Sequence, residues 1–268
     1  MDSARYLKNG ITGFAALLFA GSQIVPGANK TGPVLTAATR VVVGAHVPVS
    51  DKTSAAILSA QIDSAVRVLG SSVRPLSHPK ALETAFRSYF AFLAEHPTDV
   101  KKSLLYFVDY GLPSTQPRGY VFDMHTLQIV EGPFTVAHGR GSSTSQYGVP
   151  TRFSNAPGSA ATSLGLYLAE NTHSFHGHTA GRVYSSIGLR LKGVSAGFND
   201  NALARGVVAH GAPYVTASKA GRSEGCPAME AQRAQRVLPE LANGGMVFLF
   251  GLDNDWMAGD PWVGASVN

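Results

Sequence analysis

ARGVVAHGAPYVTASKAGRSEGCPA, residues Ala204 to Ala228, contains the only cysteine of the 268-residue chain, Cys226, and a histidine sixteen residues upstream, His210. Each sits in its own short glycine-containing segment. A lone thiol with a histidine within folding reach is a candidate nucleophile and base. The ordinary uses stand beside that reading: a single cysteine as a small buried hydrophobe, a lone histidine as a surface or hydrogen-bonded core residue. Val207 to Ala209 reads as a buried strand that ends in His210-Gly211. The segment from Pro213 to Arg222 then carries the chain back to the cysteine.

Downstream, AMEAQRAQRVLPELANGG reads as a helix, with Met229, Val237, Leu238 and Leu241 on one buried face and Asn243-Gly244 as its stop. Pro227 suits a first helical position and biases the residue before it away from helical geometry. The expectation is therefore a cysteine at a helix N-terminus, where the dipole lowers the thiol pKa. Gly225 has no Cβ to keep a substrate away, and the N–H groups of Gly225 and Cys226 are candidate oxyanion donors.

HGAPYV followed by GRSEGCPA resembles the active-site signature of the murein L,D-transpeptidase catalytic domain family, a branch of the YkuD-type L,D-transpeptidases. VFDMHTLQIVEGPFTVAHGRGSS, FSNAPGSAATSLGLY and LRLKGVSAGFNDNALAR resemble further blocks of that family in the same order, from Leu104 to Gly251. The resemblance implies a mostly β catalytic domain that acts on peptidoglycan stem peptides through a thioester on the cysteine. It makes Cys226 the nucleophile, His210 the general base and acid, and Ser223 the Ser/Thr of the family's S-H-G-C pattern. The chain departs from that pattern at Glu224, where a histidine is usual, and at Ala228, where many members have arginine. A carboxylate beside a thiolate raises the thiol pKa but also suits a substrate ammonium. Arg222 is a candidate partner for a stem-peptide carboxylate. The alternative reading of both is a solvated loop charge. Gly211, His176 and Tyr184 are further candidate substrate contacts on the family's groove.

Residues 1–28 have the grammar of a signal peptide: Arg5 and Lys8, a short apolar run from Ile11 to Ala20, then small and polar residues. An uncleaved N-terminal anchor is the alternative. Export to the periplasm or cell envelope also suits a chain with one cysteine, since an unpaired thiol in an oxidising compartment is a liability unless it has a function. Residues 29–50 read as a linker, and residues 51–100 as a helical region. In it, Ile57, Leu58, Ile62, Val66 and Leu69, then Leu82, Phe86, Phe90 and Leu93, recur at helical spacing. Residues 104–268 form the expected catalytic domain.

Hydrophobic residues at 44%, charged residues at 15% and 29 glycines describe a globular, turn-rich, β-rich body. A net charge of +5 without basic-aromatic interleaving or a phosphate-binding glycine loop argues against nucleic acid. His173, His176 and His178 are close together, but no Cys, Asp or second ligand pair accompanies them, so no metal and no cofactor are expected. Nothing in the pattern specifies an oligomer. The same fold also serves hydrolysis, as an L,D-carboxypeptidase or endopeptidase, and Glu224 leaves open a wall-binding protein without activity.

Overall fold

The computed structural model describes residues 51–264. The expected signal peptide, its anchor alternative and the linker lie outside the described residues. Among those described, no helix is long and apolar enough to cross a membrane.

Two helices come first, α1 (Asp51–Leu69) and α2 (Ala81–Glu95). The strands follow as β1 (Leu104–Asp109), β2 (Gly119–Asp123), β3 (Gln128–Phe134) and β4 (His138–Gly139), and then a long hairpin of β5 (Gly165–Thr179) and β6 (Arg182–Gly193). Next are β7 (Val208–Ala212), the two-residue strands β8 (Val215–Thr216), β9 (Lys219–Ala220) and β10 (Arg222–Ser223), and β11 (Ala228–Glu230). The chain closes with α3 (Ala231–Leu241), β12 (Met246–Phe250) and α4 (Asn254–Gly259).

Eight strands form one mixed sheet in the order β11-β7-β6-β5-β12-β1-β2-β3. In its interior β12 and β1 run parallel to each other, and both sequences are almost wholly apolar: MVFLF and LLYFVD. Strands covered on both faces read as continuous hydrophobic runs rather than alternating ones. The covers can be traced through aromatic contacts. Phe86 of α2 meets Phe122 edge-on at 5.6 Å, and Phe122 stacks with Phe107. Arg233 of α3 lies 4.6 Å from the ring centre of Phe134, which stacks with Tyr106. Tyr106 and Phe107 are neighbours on β1 and point to opposite faces. Helices α2 and α3 therefore sandwich the sheet.

This is the expected β-rich domain preceded by helices, but the helices are part of its core. Asp109, at the end of β1, accepts hydrogen bonds from the Ser77 N–H at 2.8 Å and from the Ser77 hydroxyl at 2.5 Å, which fastens the loop before α2 to the sheet.

The expected helix directly after Cys226 is overturned. Ala228–Glu230 is a strand, parallel to β7 in register Ala228↔His210, and the helix begins only at Ala231. Ala228 and Met229 are fully buried and extend the sheet, and burial against β7 outweighs the helical preference of the AMEAQ run. The buried face of α3 is Ala234, Val237, Leu238 and Leu241, while Met229 faces the core from the strand.

Candidate active site

Cys226 lies between β10 and β11, beside the strand that carries His210. The His210 N–H donates to the Pro227 carbonyl at 3.2 Å, and the Val208 N–H points at Cys226 Sγ at 3.5 Å. Val208 and His210 are two apart on β7, so their N–H groups aim the same way along the sheet. Where a continued parallel ladder would present a carbonyl to Val208, the cysteine sulfur stands instead.

His210 is 2% exposed, and its Nδ1 is 3.1 Å from the Gly211 carbonyl. A carbonyl oxygen only accepts, so Nδ1 carries the hydrogen and Nε2 keeps its lone pair. The ring of Phe175, on β5, stacks on the imidazole with centroids 4.2 Å apart and planes at 24°. Burial holds the imidazole at a pKa of about 4, against a smaller upward pull from the Gly211 bond. The histidine is thus neutral near pH 7 and able to accept a proton at Nε2.

The thiol is not made acidic. Burial pushes Cys226 up and the Glu224 carboxylate adds to that, while the Val208 N–H and the Arg205 guanidinium oppose it. The expectation of a helix-lowered pKa fails because the helix starts too late in the chain. Cys226 itself is part-exposed.

The loop before the cysteine is built by Ser223. Its hydroxyl accepts from the Gly225 N–H at 3.2 Å and donates to the Cys226 carbonyl at 2.6 Å. The Gly225 N–H is thereby occupied, which removes it from the expected oxyanion donors; the Cys226 N–H has no acceptor among the described residues. Gly225 holds φ +123, a conformation that favours glycine, and a Cβ there would meet the Ala161 carbonyl at 2.9 Å.

The charges flanking Ser223 are already engaged. Arg222 donates to the Ser143 carbonyl at 3.0 Å, and Arg140 Nε donates to both Glu224 oxygens at 2.7 and 2.8 Å, all at exposed positions. In place of a free cation and a free carboxylate, the two residues pin the cysteine loop to the segment around residues 140–144.

The structure brings Tyr184 to the site and not His176. Tyr184 lies 6.2 Å from Phe175 and meets Tyr214 edge-on at 6.2 Å. Burial raises the pKa of both tyrosines, so they remain neutral hydroxyls. His176 follows Phe175 on β5 and is exposed; alternation along a strand sends it to the opposite face. Gly211 is also no surface contact. It is buried, and a Cβ on it would come within 2.8 Å of Ala231 Cα, so its absence admits α3 while its carbonyl orients His210. Among the described residues no group of three or more His, Cys, Asp or Glu converges in the manner of a metal site.

Sequence reading missed Phe175, Tyr214, Arg140 and Arg205. Arg205 donates to the carbonyls of Ser154 and Ala161 at 2.8 and 2.7 Å and to the hydroxyls of Ser163 and Ser159 at 3.1 and 3.2 Å. The block ending in ALAR contains it, but no spacing rule marks it. Tyr214 was the nearest to legible, an aromatic residue in the HGAPY run itself.

Taken together, the fold and site define a β-sheet domain with a single thiol, a neutral buried imidazole beside it and a cysteine loop tied down on both sides. The chain belongs to the L,D-transpeptidase catalytic domain family, whose pattern it matches over residues 75–250. No curated protein matches the sequence significantly. Solved structures that resemble it include an L,D-transpeptidase from Mycobacterium smegmatis, at 13% identity and TM-score 0.35, covering 56% of this chain and 59% of that one. An L,D-transpeptidase from Stackebrandtia nassauensis has 13% identity and TM-score 0.35, covering 71% and 76%. One from Xylanimonas cellulosilytica has 12% identity and TM-score 0.33, covering 60% and 68%. The chain thus spans less than two thirds of the length of the first of these.

Proposed function

We propose that the protein is an exported cysteine L,D-transpeptidase of the periplasm or cell envelope, acting on peptidoglycan tetrapeptide stems. The observation that carries this reading is the placement of Cys226 against the His210 strand, where the Val208 N–H points at Sγ and the His210 N–H bonds the Pro227 carbonyl, with the imidazole tautomer fixed by the Gly211 carbonyl. Family membership supports it, and the signal-like grammar of residues 1–28 supports export.

In this mechanism His210 Nε2 takes the proton from Cys226 as Sγ attacks the carbonyl carbon of the third stem residue. Neither group is charged beforehand, so proton transfer accompanies attack. The Cys226 N–H is the backbone donor left for the developing oxyanion. The tetrahedral species collapses by breaking the bond to the terminal D-alanine, whose amine leaves with the proton from Nε2. A thioester remains on Sγ. An acceptor amine then attacks the thioester, gives its proton to Nε2, and the departing sulfur takes that proton back. A stem side-chain amine as acceptor gives a 3–3 cross-link, and a free amino acid gives exchange. Tyr184 and Tyr214 supply neutral hydroxyls along the stem, and Ser223 holds the loop.

The test is intact mass of the purified protein mixed with a disaccharide-tetrapeptide, with and without an amine acceptor. An adduct absent from Cys226→Ala that turns over into cross-linked or exchanged product is the expected result. Turnover only to tripeptide would replace transpeptidation by hydrolysis. Stem binding with neither adduct nor turnover would leave a wall-binding protein.

A further inference from the structure

The Cys226 thiol sits beside Glu224 with no helix dipole behind it, so any positive potential that it feels comes from another source. Arg205 lies in the segment between β6 and β7, and its acceptors are the neutral oxygens of Ser154, Ser159, Ala161 and Ser163. Among the described residues no carboxylate lies within salt-bridge distance of it. A guanidinium fixed by neutral groups alone keeps its charge undiminished for whatever packs nearest. The cysteine loop lies against it: a Cβ on Gly225 would stand 3.5 Å from Arg205 Nη2, and Cys226 is the next residue. The segment Arg205 grips contains Ala160 at φ +50, a left-handed conformation that a side chain resists and that needs outside support. Glu224 is the opposing charge on this loop, and Arg140 neutralises it from the solvent side.

We propose that Arg205 is a fixed cation that stabilises negative charge developing on Cys226 Sγ, acting through the loop across Gly225 without touching the substrate. It is a positioning residue in this role. The direction of its influence on the thiol, downward against burial, agrees. The inference rests on Cys226 being the reacting thiol of the proposed function, but its test needs no stem peptide.

The test is the pH dependence of Cys226 alkylation by iodoacetamide in the full chain. Arg205→Gln is expected to move the midpoint to higher pH and to slow alkylation at pH 7 by about tenfold, the scale of one neighbouring charge. Arg205→Lys keeps the charge and is expected to stay near the parent; a shift as large as that of Arg205→Gln would make the hydrogen-bonding fork responsible and overturn the proposal. Ser159→Asp places a carboxylate on Nη2 while keeping the clamp, and is expected to shift the midpoint upward where Ser159→Asn does not. That pair decides the matter if Arg205→Gln does not fold: equal behaviour of Asp and Asn overturns the proposal. Stem-peptide turnover with no charge-dependent midpoint would sink the role of Arg205 alone, and the shift without turnover would sink the transpeptidase reading alone.

Discussion

At the scale of single residues, His210 and His138 link the site to pH. Burial holds His210 at about 4, and burial, then Arg118, then Arg222 hold His138 at about 3, both below the usual histidine value near 6.5. His138 Nδ1 sits 3.0 Å from Arg118 Nη2 in a fully buried position. Guanidinium only donates, so Nδ1 accepts and the ring has no place for a second proton there. Between pH 6.5 and 4 the unfolded chain binds protons at these histidines that the folded chain does not. Stability therefore rises with pH across that window and is lost as pH falls through it, by about 3 kcal/mol for His210 alone as an upper figure. Asp109 and Asp260, whose carboxyls burial pushes up, bind protons when folded and oppose the trend at its acidic end. Urea melts at pH 4.5 and 7 check this: the midpoint should be lower at pH 4.5 in the parent, and the difference should shrink in His210→Gln. An unchanged difference would mean that the imidazole is not held neutral by the fold. His210→Gln should also lower turnover by about a thousandfold, since it removes the proton acceptor and leaves the thiol in place.

At the scale of elements, the long β5–β6 hairpin is what completes the site. It carries Phe175 onto His210 and Tyr184 towards Tyr214. Phe175→Ala opens the imidazole to water, which should return its pKa towards 6.5 and move the acid limb of the rate profile up by about one unit or more. A rate profile of the variant that superimposes on the parent after scaling would show the ring to be packing alone. The hairpin also explains what was legible in the sequence. Cys226 and His210 could be found because each is chemically singular within a short motif, and α1, α2 and β1 because their apolar spacing extends over several turns or a whole strand. Phe175 was hidden because its partner lies thirty-five residues away and two strands across, a relation fixed by register rather than by spacing. The Ala228–Glu230 segment misled because propensity and Pro227 both favour a helix there, whereas pairing with β7 is a tertiary choice. Arg222 and Glu224 were legible as charges, but their partners, the Ser143 carbonyl and Arg140, come from a loop about eighty residues upstream.

At the scale of the whole molecule, the central question is whether α1 and α2 are an appendage or half of the core. Phe86 is fully buried, edge-on to Phe122, and Phe122 in turn stacks on Phe107 and Tyr120. Ile62, Ala65 and Leu69 of α1 close the same cluster from outside, and the Ser77–Asp109 bonds fix the approach to α2. An appendage would lose its own packing on truncation of Phe86 and leave the sheet intact. A core helix would instead lower the stability of the entire unit. Phe86→Ala removes most of a buried ring and should cost about 3–5 kcal/mol. In a domain of this size that lowers the melting temperature by roughly 10 °C. Because α2 covers the face opposite α3, and the cysteine loop is tied to β4, β7 and Arg140 rather than to α2, the alkylation midpoint of Cys226 should not move. Differential scanning calorimetry with the alkylation profile on the same sample reads both quantities. One transition shifted to lower temperature with an unmoved thiol midpoint is the expected outcome. A parent-like main transition with a small separate one at low temperature would make the helices a dispensable layer, and the sheet alone would then have to hold the site together.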